Sequence, residues 1–131
     1  MVPSADRYVV RMTLKRAGVW ALAVILTLEF VVAGLAKYAA SAVWARLFLQ
    51  WGYPAWCRPV VGAAEIICGA ALLVPVTRRY AGVVLIAIMF GAAVTRVLNG
   101  PPSQAILPVA LGAMVGLLLW LSPATSSSKP S

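Results

Sequence analysis

Four long apolar runs, separated by short polar or aromatic stretches, set the pattern of this chain. Residues 17–36 are broken only by Thr27 and Glu29, and 59–76 carry Glu65 as their one charge. Residues 80–98 carry only Arg96, near the end, and 104–122 carry no charge. Each run approaches the ~20 residues that a helix needs to cross a ~30 Å hydrocarbon layer. Periodicity does not separate their faces, because a helix among lipid and other helices is apolar all round. The pattern predicts an all-α polytopic membrane protein with four transmembrane helices in a bundle. Pro59 begins the second span, a position that tolerates a missing N–H. Pro108 falls inside the fourth span and is expected to kink it. Lys15, Arg16 and the Ala40-Ser41-Ala42 stretch imitate a signal peptide, but the first run is too long for an h-region and contains Glu29, so it reads as an uncleaved span.

Composition reinforces that reading. Of 131 residues, 63% are hydrophobic and 11% charged, with a mean hydropathy of +0.94. Soluble domains average roughly half apolar and about a quarter charged, and so short a chain has too much surface to hide this much apolar side chain from water. A soluble globule and a disordered chain are excluded. The net charge of +8 belongs to a membrane protein and not to a nucleic-acid module. The absence of His removes the usual metal and haem ligand and the usual neutral-pH base. Cys57 and Cys68, about 16 Å apart along a helix, do not suit an internal disulfide. With no CxxC, phosphate loop or nucleophile–base set, no metal or cofactor ligands are expected, and catalysis by this chain alone is not.

Charge and aromatic placement orient the spans. Four crossings put Arg7, Arg11, Lys15, Arg16, Arg78, Arg79 and Lys129 on one side and Lys37, Arg46, Arg58 and Arg96 on the other. The excess of basic residues predicts both termini in the cytoplasm. Residues 1–16 form a basic N-terminal segment, and the Ser- and Pro-rich residues 123–131 a flexible tail. Trp20 and Trp120 stand at span ends, and Trp44, Trp51 and Trp56 cluster with Phe48 and Tyr53 in the 38–56 segment. Indole rings favour the headgroup region, so this segment is expected to hold a short interfacial helix, an irregular loop being the alternative.

Two of the three acidic residues, Glu29 and Glu65, lie within spans, where an ionised group costs a few kcal/mol or more and needs a partner. With Lys37 and Arg96 they form a set of two negative and two positive groups in the outer half of the bundle. Glu65 is expected to meet Arg96, with Glu29 and Lys37 close by. The set fits a polar recess for a headgroup, a quinone ring or a proton. A structural role, tying three helices together or letting Lys37 and Arg96 snorkel outward, fits it ahead of that recess. Gly62, Glu65 and Gly69 share one stripe of the second helix, where small residues admit a neighbouring backbone. Gly112 with Gly116 and Ala87 with Gly91 form two further small-xxx-small pairs, available for internal packing or for another subunit.

These residues also resemble a known family. Gly34-Leu35-Ala36-Lys37, Trp51-Gly52-Tyr53-Pro54, Val61-Gly62-Ala63-Ala64-Glu65, Thr77-Arg78-Arg79-Tyr80-Ala81, Met89 and Ala92-Ala93-Val94-Thr95 follow in the order seen in the DoxX family. The resemblance implies a small four-span membrane protein with Lys37, Glu65 and position 96 as its polar sites. It also implies a redox neighbourhood, since some members resemble a membrane subunit of a thiosulfate:quinone oxidoreductase. Where many members end the third helix with Thr-His, this chain has Thr95-Arg96. A guanidinium stays protonated, which favours a fixed ion pair or an anion contact over acid–base chemistry.

The leading expectation is a non-catalytic integral membrane subunit of a larger quinone-linked or electron-transfer complex. The alternative is a stand-alone protein that binds a quinone or lipid through the Glu/Arg/Lys recess. A small transporter ranks last, because the chain has no inverted repeat or paired broken helices. Partners are thus the lipid bilayer and other membrane subunits, and no nucleic acid.

Overall fold

A computed structural model describes residues 3–122, so the expected tail at 123–131 lies outside the described residues. The described chain is helical: α1 Pro3–Ala39, α2 Ser41–Gln50, α3 Cys57–Ala71, α4 Pro75–Asn99 and α5 Ile106–Leu121, with a 3-10 turn at Pro102–Ala105 before α5. Three helical stretches, Ala5–Ala39, Pro75–Asn99 and Pro102–Leu121, are long and apolar enough to cross a membrane. α3, with 15 residues, is shorter.

The long helices alternate in direction. Gly34 faces Gly62 while Phe30 faces Gly69, which makes α1 and α3 antiparallel. Gly82 faces Leu119 while Met89 faces Gly112, so α4 and α5 are antiparallel too. The core runs between these pairs through Leu26, Phe30, Leu72, Leu85, Val115 and Leu118, all fully buried. Around it, Leu28, Val32, Ile67, Phe90, Leu98 and Trp120 are exposed. That inside-out surface suits a hydrocarbon solvent.

Two prolines do not act where the apolar runs suggested. The run 59–76 continues past Pro75, but Pro75 ends one helix and begins the next. A pyrrolidine lacks the N–H for the intrahelical bond and clashes with the preceding turn, whereas the first turn of a helix needs no such bond. α3 therefore stops at Ala71, and the Thr77 Oγ1 donates to the Ala71 carbonyl at 2.9 Å. Pro108 does not kink a span either. The 3-10 turn takes up the preceding residues, Pro108 sits in the first turn of α5, and the helix continues to Leu121.

Arg78, read from the sequence as a loop charge, is buried. Its Nε donates to the Leu72 carbonyl at 2.7 Å and its Nη1 lies 3.4 Å from the Ser122 Oγ. Its guanidinium covers the Trp20 ring at 5.3 Å. Arg78 thereby ties the ends of α3 and α5 to α1. The start of α1 has no such partner: residues 5–18 are exposed throughout, and Val19 is the first buried side chain.

Small residues set the spacing of α1 and α3. A Cβ on Gly34 would stand 2.6 Å from both the Gly62 carbonyl oxygen and the Ile66 Cγ1, and one on Gly69 2.9 Å from the Phe30 Cβ. Gly34 is the strictest of these positions because a backbone atom blocks it. Gly34→Ile should destabilise the bundle by about 1–3 kcal/mol, the usual cost of overpacking. Gly116→Ala, which enters open space, should be neutral or slightly stabilising. Thermal unfolding of the detergent-solubilised variants checks the contrast, and equal shifts would refute the close-approach assignment.

Candidate functional site

The close approach of α1 and α3 brings Lys37 and Glu65 together. Gly62 lies three residues before Glu65, nearly the same stripe of α3, and its absent side chain lets the Lys37 end of α1 come near. The Lys37 Nζ stands 2.8 Å from the Glu65 Oε1, both side chains nearly inaccessible, and this is the one ion pair among the described residues. Lys37 also lies under the Trp44 ring, 4.5 Å from its centroid. A buried carboxylate is tolerable only when its charge is answered at contact distance. The ammonium here does so, with the indole face as a second neighbour.

Arg96 is not the partner of Glu65. Its guanidinium packs over the Trp51 ring at 5.5 Å. The sequence gives Lys37 and Arg96 equal claims on the carboxylate, and the glycine-mediated contact of α1 with α3 settles the matter. Glu29 joins no ion pair among the described residues. It is exposed, eight residues and about 12 Å before Lys37 along α1. The expected four-membered cluster is thus one tight pair, one aromatic-capped guanidinium and one more distant carboxylate.

α2 roofs these groups. Phe48 is buried, with Trp44, Trp51 and Tyr53 around it at ring-centroid distances of 6.4, 5.5 and 5.7 Å. Gly52, at φ 85°, makes the left-handed turn that brings Tyr53 back toward the bundle. The Tyr53 hydroxyl bonds to the Thr95 Oγ1, whose own proton goes to the Gly91 carbonyl at 2.7 Å. Arg58 donates to the Lys37 carbonyl at 2.8 Å, and the Tyr38 hydroxyl to that of Pro59, joining the end of α1 to the start of α3. α2 is thereby linked to α4 through Tyr53 and to α1 through the contact of Trp44 with Lys37.

Beneath the roof lies a cavity of about 430 Å³. Phe30, Ala33, Val61, Ile88, Met89, Ala92, Leu107 and Leu111 supply an apolar wall. Glu29, Lys37, Glu65, Thr95, Arg96 and Gln104 supply the polar groups, and Trp44, Trp51 and Tyr53 the aromatic ones. All four charged residues singled out from the sequence therefore line one space, although only two of them touch. Its size and its apolar wall with few polar groups are those of a small-molecule site. The described residues hold no group of three or more His, Cys, Asp or Glu able to bind a metal.

A family model, described as the DoxX-like family, matches residues 21–118, about three quarters of the chain. The protein belongs to the DoxX-like family. The match runs from the first core turns of α1 through the roof and the cavity to the last turns of α5, and supports a small multi-pass membrane protein. No curated protein and no solved structure matches the chain.

Among the other residues singled out from the sequence, Gly62 and Gly69 are buried in the α1–α3 contact, and Gly112 faces Met89. Ala87 and Gly91 are exposed on α4, and Gly91 and Gly116 have open space at their Cβ positions. Trp56 and Trp120 are exposed. Sequence reasoning missed Gln104 and the Tyr53–Thr95 link. Thr95 offered the better signal, standing one residue before Arg96 in the family-like stretch.

The ion pair predicts strongly non-additive mutations. Lys37→Met leaves Glu65 buried and unanswered and should cost about 3–5 kcal/mol, as should Glu65→Leu, which leaves Lys37 unanswered, from the other side. Lys37→Met combined with Glu65→Leu should recover most of that loss. A double-mutant cycle on unfolding in detergent reads the coupling, and additive losses would show that the pair does not stabilise the bundle.

Proposed function

We propose that this protein binds one amphipathic molecule from the bilayer, a quinone ring or a lipid, in the cavity under α2. In this reading α1, α3, α4 and α5 all cross the membrane and α2 lies at the outer interface with its Trp residues among the headgroups. Both termini face the cytoplasm of a prokaryote, as the basic N-terminal segment favours. The single observation that carries the proposal is the cavity itself. It is apolar along most of its wall, and its cationic groups gather beneath the aromatic roof, so it offers a ligand one polar end and one apolar end. A hydrogen-bond acceptor placed near Arg96, with a ring or chain running down toward Met89 and Leu111, would satisfy both. The Glu65–Lys37 pair holds the wall in shape and contributes positioning, with no chemical step assigned to it.

One observation favours the reading as a subunit of a larger quinone-linked membrane complex. Ala87 is exposed on α4, and a small residue of this kind suits contact with a neighbouring helix, whereas Gly91 lines the cavity. The two readings are compatible: a ligand-holding bundle can sit beside a partner that uses the ligand.

Native mass spectrometry from mild detergent tests the binding proposal. After reconstitution with membrane lipid and quinone, the wild-type protein should retain one small molecule per chain. Ala92→Trp, which fills the cavity from α4, should lose that mass while keeping its helical content. A wild-type protein that stays empty in the presence of both ligand types would refute the proposal.

A further inference from the structure

The cavity's charges are unevenly answered, and the imbalance indicates which amphipath it takes. Two cations, Lys37 and Arg96, stand against the faces of two indoles of the roof, Trp44 and Trp51. Glu65 neutralises Lys37 at 2.8 Å. Arg96 is half-buried, lines the same cavity and forms no ion pair among the described residues. Its one close charge-stabilising contact is the face of Trp51, which leaves the planar fork of N–H donors without a carboxylate. The remaining carboxylate of the cavity, Glu29, is exposed and about 12 Å from Lys37 along α1, too far to answer a charge under the roof. A cavity with an unanswered guanidinium under its roof draws an anion there. The apolar wall, with Phe30, Ile88, Met89 and Leu111, suits an acyl chain.

Resting on the cavity-binding reading above, we propose that the ligand is a single-tailed anionic lipid whose carboxylate or phosphate is held by Arg96 beside Trp51, with its chain along the apolar wall toward Met89 and Leu111. Guanidinium is the side chain best matched to such a head. It stays charged, it presents two parallel donors to two oxygens, and it stacks on an aromatic face without giving up those donors. Bound there, the anion completes a second charge pair beside Lys37–Glu65. Arg96 is the residue that selects the head.

Quenching of tryptophan fluorescence in neutral-detergent micelles tests this, with dibromostearate as probe and its methyl ester as the uncharged control, at about pH 8.5 so that the acid is ionised. Bromine quenches indoles near it, and Trp44 and Trp51 line the cavity. The acid should half-saturate the quenching at a concentration about ten-fold or more below the ester, the contribution of one charge-assisted pair. Arg96→Leu should raise the acid to the ester's value without changing the ester, and Arg96→Lys should keep part of the preference. Displacement by oleate and by oleoyl lysophosphatidate separates the two heads: the one that competes at the lower concentration is the head the site prefers. Equal half-saturation by acid and ester in the wild type, or an Arg96→Leu protein that keeps the preference, overturns the proposal while leaving a neutral ligand in the cavity. Failure of acid, ester and quinone alike to bind overturns the cavity reading with it.

Discussion

A carboxylate placed among apolar helices has to be answered at contact distance, and the contact of Lys37 with Glu65 is the constraint on which the rest of this structure depends. Desolvating the two ions costs several kcal/mol each, and only a short, well-enclosed pair offsets it. That requirement fixes how far α1 and α3 can separate, which explains why Gly34 and Gly62 meet where any larger side chain would collide. It also fixes the rotation of both helices, because Lys37 and Glu65 have to face each other. The hydrogen bonds of Arg58 and Tyr38 to the neighbouring carbonyls hold the same corner from outside. α4 and α5 then pack against this pair through leucines, valines and a methionine, with Arg78 closing the far end.

The cavity follows from that division of labour. α1 and α3 are drawn tight by glycine and charge, while α4 carries Arg96 toward the aromatic roof and not toward Glu65. The chain of contacts from Tyr53 through Thr95 to the Gly91 carbonyl keeps α2 over the space. An apolar interior would have been filled by side chains to close-packed density. A cluster of charges that must be spaced and answered separately leaves room between its members.

How much of this was legible in the sequence depended on the range of the forces involved. Membrane residence was plain, because it rests on residue type summed over long runs. So were the charged residues of the site, because an ionisable group in an apolar run is conspicuous wherever it points. The pairing was not legible. Lys37 and Arg96 offer Glu65 the same charge, and the choice between them lies in helix rotation and in the 2.6 Å blockade at Gly34, which no single run encodes. Pro75 and Pro108 show the same limit locally. Hydropathy carries a span straight through Pro75, while the backbone requires a new helix there. The burial of Arg78 was invisible for a related reason: its acceptors are the Leu72 carbonyl and the Ser122 hydroxyl, groups with no charge to betray them.

The shortness of α3 has a consequence for the surrounding membrane. Its 15 residues rise only about 22 Å, against a hydrocarbon thickness of ~30 Å. In the four-span arrangement, the bilayer beside α3 must become thinner or admit headgroups and water below their usual level. Either response lowers the polar boundary on the side where Glu65 resides. In that arrangement lipid thickness would act on the ion pair from outside, through the short α3 beside it.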